Sequence, residues 1–295
     1  MDTLAEHQPA ARRVAVETPT GAGEMAYLDF GPPERAPDLV FLHANGFNAR
    51  AYRTILAPLA GELRILAPDH RGHGATTLPT DRPRASWNDI KDDLLAFLDA
   101  VGVGRVALGG HSMGGCASLL AAGERPRQVR ALALFDPVIV PPVRVTASGE
   151  AAGSPLVQGA LRRRRTFPSR TAVVEAYRGR GAFRTWTEAM LEDYVEAGFI
   201  DEPDGTVTLA CTPEWEVSNY VNQAHDSWSA FERSICPIHI LRAEQGSTCR
   251  IEDRLEALTA GGRIRVETVP GTTHFLPMER PDLVRVAIRE AAAAP

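Results

Sequence analysis

Residues 110–114 read Gly-His-Ser-Met-Gly, directly after the apolar run 106–108 and before a run of small residues that is typical of a helix. A strand-to-helix turn of the G-x-S-x-G type holds its serine in a strained backbone conformation, with the hydroxyl exposed above the sheet. A serine hydroxyl is a weak nucleophile near neutral pH, so it needs a base within hydrogen-bond reach and an acid that fixes the tautomer of that base. The motif therefore predicts nucleophilic attack by Ser112; the alternative is an ordinary glycine-rich turn.

The base is expected to be a histidine, and His274 is the best placed of the eight histidines. It follows the apolar run 264–269 through a Pro-Gly-Thr-Thr turn, so it lies beyond the carboxyl end of the last predicted strand. Functional loops of a parallel sheet gather at the carboxyl ends of its strands, where His274 can reach Ser112. We expect His274 to act as general base, a role that contributes roughly 10²–10⁴-fold in rate. The alternative is a loop histidine packed against the core.

A tetrahedral intermediate also needs two amide N–H donors for its oxyanion, each of which stabilises the transition state by roughly 2.7–4 kcal/mol. Met113 directly follows the nucleophile and is expected to supply one donor. The second is expected from the loop 43–46, His-Ala-Asn-Gly, because asparagine and glycine let the backbone turn and expose its amides. We choose Asn45 as this donor and interpret His43 as a structural residue of the loop.

Eight short apolar runs, bounded by turn residues, predict the strands that must position these side chains. They cover residues 13–16, 24–30, 39–43, 63–68, 105–108, 129–136, 238–242 and 264–269. The amphipathic segment 87–101 and the small-residue run 113–123 predict helices between the later strands. This alternation predicts an α/β fold with a mostly parallel eight-stranded sheet flanked by helices.

The strand pattern breaks after Asp136 and resumes near residue 235. The segment between these positions has little strand periodicity and contains most of the aromatic residues of the chain. We predict a core formed by residues 1–139 and 233–295, with residues 140–232 inserted after strand six as a helical cap. The aromatic rings of the cap predict an apolar pocket, although most of them are expected to build the core of the cap itself.

The composition, with 44% hydrophobic and 23% charged residues in 295, is that of a folded globular chain. A net charge of -5 gives no overall attraction to nucleic acid or to an anionic membrane, and the basic run 162–165 is interpreted as a solvated helix face. The chain shows no apolar leader, no long apolar stretch and no CxxC pair among its four cysteines. We therefore expect a cytoplasmic protein that needs no metal or organic cofactor. Nothing in the sequence indicates an oligomeric state.

Four motifs together resemble those of the α/β-hydrolase superfamily, in the branch with a helical cap. They read His-Ala-Asn-Gly at 43–46, Asp-His-Arg-Gly-His-Gly at 69–74, Gly-His-Ser-Met-Gly-Gly at 110–115 and Gly-Thr-Thr-His-Phe at 271–275. The resemblance covers nearly the whole chain and implies a serine hydrolase that cleaves an ester through an acyl-enzyme. It also implies a structural role for His73 in shaping the loop beside the site.

The resemblance leaves the triad acid open. In most similar enzymes an aspartate follows the strand that corresponds to residues 238–242, whereas residues 242–247 here read Arg-Ala-Glu-Gln-Gly-Ser. Some relatives instead carry the acid at the end of the preceding strand, where this chain has Asp136. We favour Asp136, because a carboxylate at the carboxyl end of a strand can meet the imidazole in the normal triad geometry. Glu244 is the alternative, and an ordinary turn role for Asp136, before a proline, is a further one.

Other reaction classes fit the same residues. Hydrolysis of a lactone, a thioester or a carbon–carbon bond is an alternative to ester hydrolysis, as is a ligand receptor or a pseudoenzyme on the same fold. Haloalkane dehalogenases and epoxide hydrolases attack with aspartate, so a serine at position 112 argues against both classes. The expected partner is a small apolar or partly apolar substrate.

Overall fold

The structure, a computed structural model, describes residues 8–141 and 153–295. Its strands are β1 (Ala10–Thr18), β2 (Gly21–Phe30), β3 (Leu39–Leu42), β4 (Ile65–Pro68), β5 (Val106–His111), β6 (Val129–Phe135), β7 (Thr166–Phe167), β8 (Phe199–Asp201), β9 (Val207–Leu209), β10 (Ile238–Ala243) and β11 (Ile264–Val269). Eight of them form one sheet in the order β1-β2-β4-β3-β5-β6-β10-β11. The pairs β1–β2 and β2–β4 are antiparallel and the others are parallel. The predicted mostly parallel eight-stranded sheet is confirmed.

The helices are α1 (Arg53–Leu56), α2 (Asn88–Ala100), α3 (Met113–Glu124), α4 (Pro155–Leu161), α5 (Arg170–Tyr177), α6 (Glu188–Gly198), α7 (Pro213–Val221), α8 (Ser227–Arg233), α9 (Leu255–Thr259), α10 (Leu276–Glu279) and α11 (Pro281–Ala293). One face of the sheet packs against α2, α3 and α8, and the other against α1 and α11. Every residue of β3, β4 and β5 is buried, as central strands covered on both faces require.

The described part of the segment between β6 and β10 is not wholly helical. It contains α4 to α8, but β7, β9 and β8 also form a small antiparallel sheet, which the sequence did not predict. Strands of two or three residues are too short to show a period of two, so their pattern could not be distinguished from loop. Residues 142–152, which fall within the predicted cap 140–232, lie outside the described residues.

A buried ion pair fixes α6 of this segment against α1, which packs on the eight-stranded sheet. The Nε of Arg53 donates to Oδ1 of Asp193 at 2.8 Å, and both side chains are largely buried. The side-chain amide of Asn48 also donates to the carbonyl oxygen of Tyr194 at 3.0 Å. These contacts hold α6 beside the loop that follows β3.

The basic run 162–165 follows α4 and does not lie on a helix face. Arg163 pairs with Glu216 and donates to the hydroxyl of Tyr194, and both partners are buried. The interpretation of this run as a solvated helix face is therefore wrong for Arg163. Its partner lies 53 positions away, so no local pattern could have indicated the pairing.

Within residues 8–141 and 153–295, none of the helices combines the length and the apolar character that a membrane crossing requires.

Candidate active site

Ser112 lies between the last residue of β5 and the first residue of α3, and its φ of 56° is in the left-handed region. The flanking glycines are required by close backbone approach. A Cβ at Gly110 would lie 2.5 Å from the carbonyl carbon of Gly114, and a Cβ at Gly114 would lie 2.4 Å from the carbonyl oxygen of Leu42. The strand-to-helix turn can therefore close only with glycine at both positions.

Ser112, His274 and Asp136 lie in one hydrogen-bonded line. The Oγ of Ser112 is 2.9 Å from Nε2 of His274, and Nδ1 of His274 is 2.6 Å from Oδ2 of Asp136. His274 follows β11, and Asp136 directly follows β6 with a φ of 40°. In the tautomer that this arrangement favours, Nδ1–H donates to the carboxylate and Nε2 accepts from the serine hydroxyl.

The carboxylate of Asp136 is fully buried and accepts hydrogen bonds on both oxygens. Oδ1 accepts from the amide of Ala243 at 2.9 Å and from the hydroxyl of Ser247 at 2.5 Å, and Oδ2 accepts from the amide of Thr248 at 3.0 Å. Burial alone would raise the pKa of Asp136, but the hydrogen bond and charge of His274, with the donors of Ser247 and Ala243, lower it to about 2. The side chain of Asp136 is therefore held as a carboxylate.

Sequence reasoning missed Ser247 and Thr248. The loop after β10, where the sequence comparison places the acid of most similar enzymes, here supplies hydroxyl and amide donors to Asp136, which follows the neighbouring strand β6. The hydroxyl of Thr248 also lies 3.4 Å from Nδ1 of His274. The only sequence signal is that two hydroxyl residues lie in the loop after the predicted strand 238–242, which is too common to identify such a role.

The structure does not bring Glu244 to the imidazole. Its side chain is exposed, and its Oε2 accepts from the backbone amide of Gly271 at 3.0 Å. Among the described residues, the carboxylate that contacts His274 Nδ1 is that of Asp136.

The loop after β3 leaves one amide free. The amide of Ala44 donates to the hydroxyl of Tyr52 at 3.2 Å, and the amide of Gly46 donates to Nε2 of His73 at 3.0 Å. In the part of the chain that the structure describes, the amide of Asn45 between them has no acceptor. This free donor lies on the loop from which the sequence predicts the second oxyanion contact.

The side chain of Asn45 fixes the loop against α7. Its Nδ2 donates to the carbonyl oxygen of Glu216 at 3.0 Å, and its Oδ1 accepts from the side-chain amide of Asn219 at 2.8 Å. Met113 is the first residue of α3, so its amide has no acceptor within the helix. The positive end of the α3 dipole lies at the same position.

Three buried histidines, His43, His70 and His73, form what we call the histidine cluster. Their ring centroids lie 4.4 to 6.3 Å apart, and Nε2 of His43 accepts from the backbone amide of His70 at 2.9 Å. Burial lowers the pKa of His43 to about 4 and lowers the pKa of the other two well below the usual value. The neutral cluster thus joins the loop 43–46 to the loop 69–74.

Aromatic rings border the site on the side of the inserted segment. Phe47 stacks on Phe275 with centroids 6.2 Å apart, and Phe275 is next to His274. Phe47 also contacts Trp186 at 5.2 Å and Tyr194 at 5.7 Å. Rings from the sheet domain and from the segment between β6 and β10 therefore form one apolar wall beside His274.

In the described ranges, no group of three or more His, Cys, Asp or Glu side chains is arranged to hold a metal ion. All four cysteines are buried and free.

Comparison with known proteins finds similar proteins that align with nearly the full length of this chain. The chain is 26% identical to the 3-hydroxybutyrate-oligomer hydrolase of Cupriavidus necator over 92% of this chain and 93% of that protein. The crystal structure of E-2-(acetamidomethylene)succinate hydrolase superposes with a TM-score of 0.74 at 21% identity, covering 96% of this chain and 98% of that one. A hypothetical protein from Pseudomonas aeruginosa superposes with a TM-score of 0.70 at 29% identity, covering 95% and 98%. The profile of the "Alpha/beta hydrolase family" matches residues 39–287, and the chain belongs to this family.

Proposed function

We propose that this protein is a serine hydrolase that cleaves an ester bond in two acyl transfers. In the first transfer, Oγ of Ser112 attacks the ester carbonyl carbon while its proton passes to Nε2 of His274. His274 then gives that proton to the leaving alkoxide, which departs as an alcohol and leaves the acyl group on Ser112. In the second transfer, His274 takes a proton from water, whose oxygen attacks the acyl carbon. The bond to Oγ breaks, the proton returns to Ser112, and a carboxylic acid is released.

The observation that carries this proposal is the unbroken line from Oγ of Ser112 through His274 to Asp136, with contacts of 2.9 and 2.6 Å. Both distances are within hydrogen-bond range, so proton transfer needs no rearrangement of the three side chains. We assign Asp136 as the acid, which orients His274 and stabilises the imidazolium that forms when the serine proton arrives.

We assign the amides of Asn45 and Met113 to the oxyanion. Asn45 lies in the loop after β3, Met113 is the first residue of α3, and neither amide has an acceptor among the described residues. Each donor of this kind stabilises the transition state by roughly 2.7–4 kcal/mol. Because the peptide bond is planar, the contacts of the Ala44 carbonyl oxygen with Nδ1 of His43 at 2.7 Å and the amide of Phe47 at 3.1 Å fix the direction of the Asn45 N–H. The donor is thereby oriented before the substrate binds.

We further propose that residues 140–232 act as a cap on the core formed by residues 1–139 and 233–295. The rings of Trp186 and Tyr194 contribute to the apolar wall beside His274, so the acyl or alcohol portion of the substrate is apolar at that side. The relative from Cupriavidus necator is named for hydrolysis of 3-hydroxybutyrate oligomers. The dimer and trimer of 3-hydroxybutyrate therefore belong in the first set of substrates.

The proposal is tested by steady-state hydrolysis of short and medium p-nitrophenyl esters and of 3-hydroxybutyrate oligomers. Wild type should hydrolyse at least one of them, and Ser112→Ala should reduce kcat to the background rate. Ser234→Ala is the matched control, because it also removes a buried hydroxyl, bonded to the carbonyl oxygen of Phe231 at 3.0 Å, but lies outside the site. Equal activity of Ser112→Ala and Ser234→Ala would refute the proposal.

A further inference from the structure

Two fully buried polar side chains, Tyr52 and His111, lie between the loop that carries Asn45 and the loop that carries His274, and the proposed mechanism uses neither. The amide of Ala44 is 3.2 Å from the hydroxyl oxygen of Tyr52, which is 2.7 Å from Nδ1 of His111. Nε2 of His111 is in turn 2.7 Å from the carbonyl oxygen of His274. These three contacts form a continuous connection between the two loops.

The direction of each hydrogen bond follows from the groups involved. The carbonyl oxygen of His274 can only accept, so Nε2 of His111 carries a proton and donates it. Burial is the main cause that lowers the pKa of His111 to about 3, and repulsion between a positive charge on His111 and one on His274 lowers it further. The ring of His111 is therefore neutral, and its Nδ1 accepts. The hydroxyl of Tyr52 donates to Nδ1, and its oxygen accepts from the amide of Ala44. Every donor in the connection therefore has one acceptor.

We propose that Tyr52 and His111 are positioning residues for the reaction. The connection that they form, which we call the Tyr52–His111 bridge, sets the distance between the Asn45 amide and the imidazole of His274. This inference rests on the proposed function, because it assigns a purpose to the spacing of two groups that act on the same tetrahedral intermediate.

The sheet alone does not fix that spacing. The Asn45 loop follows β3 and the His274 loop follows β11, and β5, β6 and β10 lie between these two strands. The ladder from β3 to β11 passes through these three strands and stops before either loop, so it fixes the strands but not the position of one loop relative to the other. His111 ends β5, and Tyr52 is held by its ring contact with Phe41 at 4.9 Å. The bridge is thus attached to rigid elements and spans the gap between the loops.

Tyr52→Phe removes the middle of the bridge and keeps the packed ring. Loss of about 1 Å in alignment costs up to about 10²-fold in rate, so we expect kcat on a p-nitrophenyl ester to fall about tenfold. KM should stay within about twofold, because the substrate wall is untouched. The loss should be larger, about 10²-fold, on the matching ethyl ester, because an alkoxide leaving group depends on a well-placed proton from His274.

All rates are normalised to active sites titrated with a fluorophosphonate, so a variant that folds incompletely does not simulate the effect. Tyr27→Phe is the matched control, since Tyr27 is a partly buried tyrosine of β2 outside the bridge. It should leave kcat on both esters unchanged. An equal loss on the two esters, or a kcat for Tyr52→Phe equal to that of the control, would overturn the inference while leaving the proposed function intact.

A second variant tests the bridge as one unit. His111→Gln keeps a donor near the position of Nε2 but removes the acceptor for Tyr52. If both residues act through one bridge, the double variant Tyr52→Phe/His111→Gln should have about the same kcat as the less active of the two single variants. Losses that multiply would show two independent roles and refute the bridge. If wild type hydrolyses no ester, the rate of fluorophosphonate attachment to Ser112 serves instead; the same pattern is expected, and a rate unchanged by Tyr52→Phe overturns the inference.

Discussion

Replacing Asp136 by asparagine keeps the shape of the side chain but turns one hydrogen-bond acceptor into a donor. Both carboxylate oxygens accept from backbone amides, Oδ1 from Ala243 and Oδ2 from Thr248, and neither amide can reverse its direction. In either orientation the new NH₂ group faces a backbone N–H. If the NH₂ takes the place of Oδ2, it also faces Nδ1 of His274, which must then accept. In that orientation the proton moves to Nε2, and His274 can no longer take the proton of Ser112. If the NH₂ instead takes the place of Oδ1, Nδ1–H keeps its acceptor, but the neutral amide no longer stabilises the imidazolium that forms when Ser112 loses its proton.

The size of the effect follows from these contacts. An imidazole in the wrong tautomer lowers kcat by about 10⁴-fold in serine hydrolases with this triad, which is about 5 kcal/mol of transition-state stabilisation. The opposed N–H groups should lower the free energy of unfolding by about 1–3 kcal/mol, the usual cost of a buried polar group without a partner. The loss of activity is measured as kcat per titrated active site, and the loss of stability is measured by urea unfolding.

Glu244→Gln is the matched control, because it makes the same chemical change in an exposed side chain one residue beyond β10. Among the described residues, its side chain bonds to the backbone amide of Gly271, which lies away from the imidazole, so activity should change by less than about twofold. If Asp136→Asn keeps more than a tenth of the wild-type kcat, His274 does not depend on the carboxylate of Asp136. A large loss from Glu244→Gln would move the acid to that residue.

Three further predictions concern the scaffold around the site. In Gly114→Ala the new Cβ lies 2.4 Å from the carbonyl oxygen of Leu42, so kcat should fall and the free energy of unfolding should drop by about 1–3 kcal/mol; unchanged urea unfolding would contradict this. Asp193→Asn leaves Arg53 without its buried partner and should cost about 3–5 kcal/mol of unfolding free energy, and a loss under about 1 kcal/mol would show that this pair does not hold α6. The histidine cluster has pKa values below the unfolded value of 6.5, so the unfolded chain binds more protons as the pH falls. The free energy of unfolding should therefore decrease from about pH 6.5 to about pH 4, and this decrease should be smaller in His43→Gln.

The parts of the protein that a short sequence window determines were predicted, and those that depend on distant contacts were not. The strands were predicted because buried central strands appear as short, uninterrupted apolar runs between turn residues. The turn at Ser112 was predicted because the serine and both of its required glycines lie within five consecutive residues. The choice between Asp136 and Glu244 could not be made from the chain order alone, because both follow strands of one sheet. It depends on which carboxylate lies beside His274 in space.

Other features left no usable signal in the sequence. The roles of Ser247 and Thr248 depend on β10 pairing with β6. The pairing of Arg163 with Glu216 depends on α7 lying beside the segment that follows α4. Tyr52 and His111 each have ordinary reasons to be buried, and only their position between two loops makes them a bridge. Such roles arise from tertiary contacts, which sequence periodicity does not specify.

If the proposed mechanism is right, Ser112 carries the acyl group between the two halves of the reaction, and mass spectrometry of an acid-quenched reaction detects this intermediate. A hindered p-nitrophenyl ester slows the second transfer, so the acyl-enzyme should accumulate with a burst of one p-nitrophenolate per active site. We expect an added mass equal to that of the acyl group on the peptide that contains Ser112. Turnover without any adduct, or an adduct on another residue, would contradict it.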